Sequence, residues 1–319
     1  MVNRKQDFDS ILFRTPVTLP TPVKQFGVKH RYVFLGSCFA QHIGNRFVEN
    51  RLSCLANPVG ALYNPESIVR VITAEDAGET VLGPMGWHTW LMDTQHTRPS
   101  ADEARQDAVS TLNDLRQAIQ KADHLVITLG TTHTYKLLKD SSVVANCHKH
   151  PAREFHEHDL SLLDTISCLE RLMLWLGENN KDCVITFSVS PYRYAKYGFH
   201  ENQLSKATLL LAIHHLQQSF PSRIQYFPAY ELMMDELRDY RFYDTDMLHP
   251  AAVAIDYIWQ RLHEWMTSDL LDYLRRSAPL VRAEKHRPLD ASSAAYQSFV
   301  TQNSKAWEKL RNDFSMSLF

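Results

Sequence analysis

The sequence predicts an α/β fold on a central parallel sheet, arranged as a three-layer α/β/α sandwich. Two apolar runs, HLVITLG (residues 124–130) and the DCVITFSVSP segment ending at Pro191, have the continuity of strands buried on both faces. Strand candidates alternate with helical stretches of roughly ten to twenty residues, as in doubly wound sheets. Strand, Gly, Ser and helix also follow one another around residue 36, where such folds place their chemistry.

In chain order, residues 1–30 hold the Pro-rich TPVTLPTPVK, read as an extended arm. RYVFLG, Arg31 to Gly36, is the first strand. Phe39, Ile43 and Phe47 then stand four apart, with Ala40 and Val48 flanking the same helical face. In NPVGALYNPESIVRVI a second helix starts, with Asn64 at N-cap, Pro65 at N1 and Glu66 in the first turn. A Trp/His-bearing stretch, GWHTWLMDTQHTRPS, leads into a polar amphipathic helix over 100–122. SVVANC is a short strand candidate, and LSLLDTISCLERLMLWLG is a helix. ENQLSKATLLLAIHHLQQSF is a helix before the strand RIQYFPA. The loop YRFYDTDMLHP opens a last core helix, AAVAIDYIWQRLHEWM, so the domain is set at 31–268 and a helical tail or cap at 269–319.

The 319 residues carry 34 Lys+Arg against 36 Asp+Glu, 44% hydrophobic and 22% charged, which excludes disordered and fibrous classes. A net charge of −2 gives no electrostatic reason for a nucleic-acid or membrane partner. With only 10 Gly, a Gly-rich phosphate-binding protein is disfavoured. Cys38, Cys54, Cys147, Cys168 and Cys183 are odd in number and lack CxxC spacing, so neither a disulfide framework nor a zinc knuckle is expected. The first residues show no apolar signal core and no run reaches membrane-spanning length, so the expectation is a cytoplasmic protein.

Ser37 is a candidate nucleophile, since a helix N-terminus supplies free N–H groups and a positive dipole for a developing oxyanion; on position alone, plain N-capping is the commoner role of a Ser there. Asp246 and His249 lie three apart before a helix, where the Asp can orient an imidazole acting as general base. An Asp N-cap beside an incidental His is the simpler account. Cys38 is a second nucleophile candidate, set against a packing role. His148, Lys149, His150, His156 and His158 form a His-rich patch with no standard ligand spacing. Ser190, Tyr192 and Arg193 in SPYR sit at a strand end, and Trp87, His88, Trp90 and His96 suit either a pocket wall or a core.

LGSCFAQHIGNRF resembles the signature of the GSCFA family, a branch of the SGNH/GDSL hydrolase superfamily. NPVGALYNPESI, TLGTTHTY, ANCHK, SPYR, NQLSKATL and YFPAYELMMDELRDYRFYDTDMLHP extend the likeness over roughly residues 30–265. The resemblance implies Ser37 as nucleophile, His249 as base and Asp246 as its orienting carboxylate. It also implies an oxyanion hole from the Ser37 N–H, the Gly60 N–H and a side chain from a GxND-type block. That block looks like Gly130-Thr131-Thr132-His133, with Thr132 where the superfamily has Asn, so Asn64, Asn146 or His133 is an alternative donor and Asn64 the preferred one. The implied function is a serine esterase or acyltransferase without cofactor, acting on a small-molecule or carbohydrate acyl ester, an O-acetyl carbohydrate being one candidate. The rival readings are a non-catalytic carbohydrate- or acyl-binding protein and a metal-dependent hydrolase built on the His-rich patch.

Overall fold

The computed structural model describes residues 14–316. Residues 1–13 of the expected arm and 317–319 of the expected tail lie outside the described residues. The central sheet has five parallel strands: β1 (Tyr32–Gly36), β2 (Cys54–Ala56), β5 (His124–Leu129), β9 (Val184–Val189) and β10 (Ile224–Tyr226), in the order β10-β9-β5-β1-β2. Between β2 and β5 lie α2 (Pro65–Thr73), the hairpin β3 (Thr80–Gly83) and β4 (Gly86–Thr89), and α3 (Ala101–Lys121). Then come β6 (His133–Leu137), β7 (Val143–Val144), β8 (Phe155–Asp159), α4 (Leu162–Asn179) and α5 (Phe199–Ser219). The chain closes with a short α6 (Ala229–Glu231), α7 (Ala252–Leu262), α8 (Ser268–Glu284) and α9 (Ala294–Asp313); α1 (Cys38–Glu49) follows β1 directly.

The period of two in β1 divides the core. Val33 and Leu35 join one apolar cluster with α2, α3, α4 and α5, while Tyr32 and Phe34 join another with α1, α7, α8 and α9. This is the expected three-layer sandwich. The arm lies along the second face, where Phe26 bridges to Met266 and Trp265 Nε1 donates to Pro20 O at 2.9 Å. Trp307 of α9 is fully buried there, so the C-terminal helices belong to the core of that layer.

SVVANC supplies β7, which joins an antiparallel sheet, β7-β6-β8, outside the central one. With the β3–β4 hairpin it forms a lobe with its own small cluster of Trp90, Leu137, Val144 and Phe155. Among the described residues no helix is long and apolar enough to cross a membrane.

Candidate active site

The carboxyl ends of β1, β5 and β9 meet at one edge, and the β1–α1 turn is held there by the backbone. Gly36 has φ +126°, and a Cβ on it would stand 2.2 Å from Thr128 O, so only glycine fits between β1 and β5. The Ser37 N–H donates to Thr128 O at 3.1 Å, and the Asn57 amide donates to Gly36 O (3.1 Å) and Ser37 O (3.3 Å). Asn57 is buried and was not singled out from the sequence, although it opens the NPVG block. Ser37 is the N-cap residue of α1, yet its Oγ caps nothing. At 1% exposure it has no hydrogen-bond partner among the described residues.

Cys38, the first residue of α1, is half-buried and lines an open cleft of about 280 Å³. Phe39, His42 and Arg46 of α1 share that cleft with Ser190, Tyr192, Asp244 and His249. Arg46 pairs with Asp256, tying α1 to α7 beneath it. Burial pushes the Cys38 thiol up, while the N–H groups of Phe39 and Cys38 itself and the Lys206 ammonium pull the other way. The thiol therefore rests protonated in a place that can receive negative charge.

Across the cleft, Asp246 and His249 form the expected dyad. His249 Nδ1 stands 2.5 Å from Asp246 Oδ2, and Asp246 Oδ1 accepts the N–H groups of Leu248 (2.8 Å) and His249 (2.9 Å). Those three hydrogen bonds pull the Asp246 carboxyl down to about 2, so it is ionised at neutral pH. With Nδ1 engaged, Nε2 makes no hydrogen bond among the described residues and is the ring nitrogen left for chemistry. The ring leans on Tyr192, centroids 4.2 Å apart, and the loop is pinned where Arg193 N–H donates to Leu248 O at 3.1 Å.

The expected oxyanion donors are not assembled in this geometry. The Ser37 N–H is spent on Thr128, the Gly60 N–H donates to Asn57 O at 2.9 Å and the Gly130 N–H to Tyr63 O at 2.7 Å. Asn64 N-caps α2, its Oδ1 accepting the Ser67 N–H at 2.8 Å, so the side chain of the preferred donor is turned into its own helix. Asn146 accepts the His148 N–H at 2.8 Å. Thr132 is turned into α5, its N–H and hydroxyl reaching Ser205 Oγ at 2.8 and 3.1 Å. His133 is held by Asp159 (3.1 Å) and Glu157 (3.0 Å) on β8. The physical reason is common: polar groups in the folded chain find partners within it, in the turn or across elements, before any substrate arrives.

What remains at the turn is the start of α1, where the N–H groups of Cys38 and Phe39 are the ones a sulfur anion or oxyanion would meet. Behind it lies Lys206 of α5, fully buried, with Nζ donating to Gly130 O at 2.6 Å and Ser190 O at 2.7 Å. It staples the ends of β5 and β9 together, and burial lowers its pKa to about 7, with the Arg193 charge acting in the same direction. Its signal was present in the sequence. Asn202, Ser205, Lys206, Leu209, Ala212, Ile213 and Leu216 form the buried stripe of α5 at helical spacing, and a lysine there is out of place.

The His-rich patch spreads over the outer lobe. His148 Nε2 lies 3.0 Å from Met92 O and its ring stacks on His88 at 3.8 Å, while His150 Nδ1 meets Glu154 at 3.0 Å. His156 and His158 lie on β8. Among the described residues no three His, Cys, Asp or Glu side chains are grouped as metal ligands. His96 is a packing residue, joined to Asp107 and Pro58 O at 2.8 Å each.

Fold and site thus define an α/β protein with a cysteine-bearing strand–helix turn facing an Asp–His dyad. The chain belongs to the GSCFA family, whose model it matches over residues 31–262. It is also similar to a solved structure from Streptococcus pneumonia provisionally named as a platelet activating factor. The two are 12% identical, the match covers 77% of this chain and 85% of the other, and the TM-score is 0.37, too low to support an argument. No curated protein matches the chain.

Proposed function

We propose that this protein is an acyl-transfer enzyme, an esterase or acyltransferase of SGNH-like design, in which Cys38 is the nucleophile and His249 the general base. The observation that carries the reading is that Cys38 and His249 line one cleft, whereas Ser37 is sealed beneath it. His249 Nε2 takes the thiol proton as Sγ attacks the acyl carbonyl carbon, and Asp246 stabilises the imidazolium so formed. The N–H groups at the start of α1 face the charge that develops. Collapse of the tetrahedral intermediate expels the alcohol, which leaves with the proton from His249. Water, or an acceptor hydroxyl, then attacks the thioester, giving its proton to His249 and restoring the Cys38 thiol as the acyl group departs. The substrate class is a small acyl ester, with an O-acetyl carbohydrate as one candidate.

Reaction with iodoacetamide and turnover of a nitrophenyl acetate test this. Cys38→Ala is expected to abolish turnover and to remove one site of alkylation, while Ser37→Ala keeps both. The buried, unpartnered Ser37 hydroxyl favours the second reading, a serine nucleophile exposed by a shift of the turn. Turnover surviving in Cys38→Ala and lost in Ser37→Ala would establish that alternative.

A further inference from the structure

The loop that carries the dyad has a second face. Tyr192, Asp244 and His249 line the cleft, whereas Arg193, Tyr243 and Met247 from the same two segments line a separate cavity of about 390 Å³. Phe199, Met233 and Met234 are also among its walls, and the acyl-transfer mechanism makes no use of it.

Arg193 is the unusual group there. Among the described residues its Nε is buried with no hydrogen-bond partner and Nη1 reaches only the Met234 sulfur, at 3.3 Å, while the guanidinium lies 5.6 Å from the Phe199 ring. Among the described residues no carboxylate is within ion-pairing distance of it. Arg238, on the same wall, donates to Thr15 Oγ1 at 3.4 Å. The lining carboxylate, Asp239, is already turned to Arg241, accepting its N–H at 3.0 Å and standing 3.4 Å from its Nε. A partly desolvated guanidinium without an acceptor is costly, and its fork matches a carboxylate or phosphate. Around it the methionines give an adaptable apolar surface, and Phe199, Tyr240 and Met247 leave apolar area exposed at 56%, 78% and 51%.

We infer that this cavity is a binding site for an anionic amphiphile, with a carboxylate or phosphate head on Arg193 and an apolar body against the methionines and aromatic rings. Because the wall is shared, such a ligand binds the reverse side of the loop that presents His249. Calorimetric titration of the full chain with octanoate, octyl phosphate and octanol tests it without reference to turnover. At least one of the two anions binds, and octanol binds about tenfold or more weakly, the range expected for loss of a charged hydrogen bond. The stronger anion shows whether the head is carboxylate or phosphate. Arg193→Met removes the preference for the anion. Tyr240→Glu, at an exposed rim position where folding is not at risk, weakens the anions and spares octanol. Equal binding of octanoate, octyl phosphate and octanol, no binding of either anion, or anion binding unmoved by Tyr240→Glu would overturn the inference.

Discussion

The two walls of the cleft are built in opposite ways. The β1–α1 turn is buried, pinned by backbone hydrogen bonds to β5 and by the Asn57 amide, and its position follows from the sheet. The 244–249 loop is exposed, and its order comes from one carboxylate, Asp246, collecting three hydrogen bonds within four residues. The β1–α1 turn is therefore held by the sheet and the 244–249 loop by local electrostatics. Removing the groups that pin the first, Gly36 and Asn57, should cost stability, and under the proposed mechanism loss of His249 on the second should cost activity while leaving the fold intact.

The largest expected loss of stability comes from Gly36→Ala. Its methyl meets Thr128 O with φ at +126°, and the cost should be about 3–5 kcal/mol, read as a fall in the urea midpoint. Asn57→Ala follows, since the carbonyls of Gly36 and Ser37 each lose a donor, at about 1–3 kcal/mol by the same measurement.

Acid comes next. Burial holds His124, at the start of β5 beside His30, at about 3, and His148 in the outer lobe at about 4, against 6.5 in the unfolded chain. The unfolded state then binds more protons below 6.5, so stability is full above that pH and is lost progressively toward 4 and 3. The melting temperature should drop on acidification from pH 7 to 5, with a shallower slope in His124→Gln. Asp246 behaves with the same sign in a lower window. Its contribution is present above 3.8 and lost as pH falls through about 2, so the dyad itself persists through the range that weakens the core.

The smallest stability change belongs to His249→Ala, about 0.5 kcal/mol or less at an exposed position, with activity down about a thousandfold or more. If that variant melted like Asn57→Ala, the contrast between the two walls would be wrong.

Most of the frame was legible from local pattern. Apolar continuity marks β5 and β9, four-residue spacing marks α1, and the Asn64-Pro65-Glu66 start marks α2. The outer lobe was not, because β6 and β8 carry His, Lys and Glu in alternation and are sheltered by a hairpin rather than by the main core. In the site, the dyad was readable because its partners are three apart. The choice between Ser37 and Cys38 was not, since adjacent residues at a turn face different ways and only the path of β1 against β5 decides which reaches the cleft. Where the expected oxyanion donors are engaged was hidden for a related reason. A sequence shows which groups can donate, and the fold decides where they are engaged: the Gly60 N–H and the Thr132 hydroxyl donate elsewhere, and the Asn64 side chain is turned to cap α2.

The most direct test of the account is the site of acylation. Brief reaction with a nitrophenyl acetate, acid quench and fragmentation of the peptide spanning residues 32–46 should place the acetyl group on Cys38 as a thioester cleaved by neutral hydroxylamine. It should accumulate when deacylation is slowed. An acetyl group on Ser37, resistant to that treatment, would contradict the assignment of the nucleophile and with it the reading of the cleft.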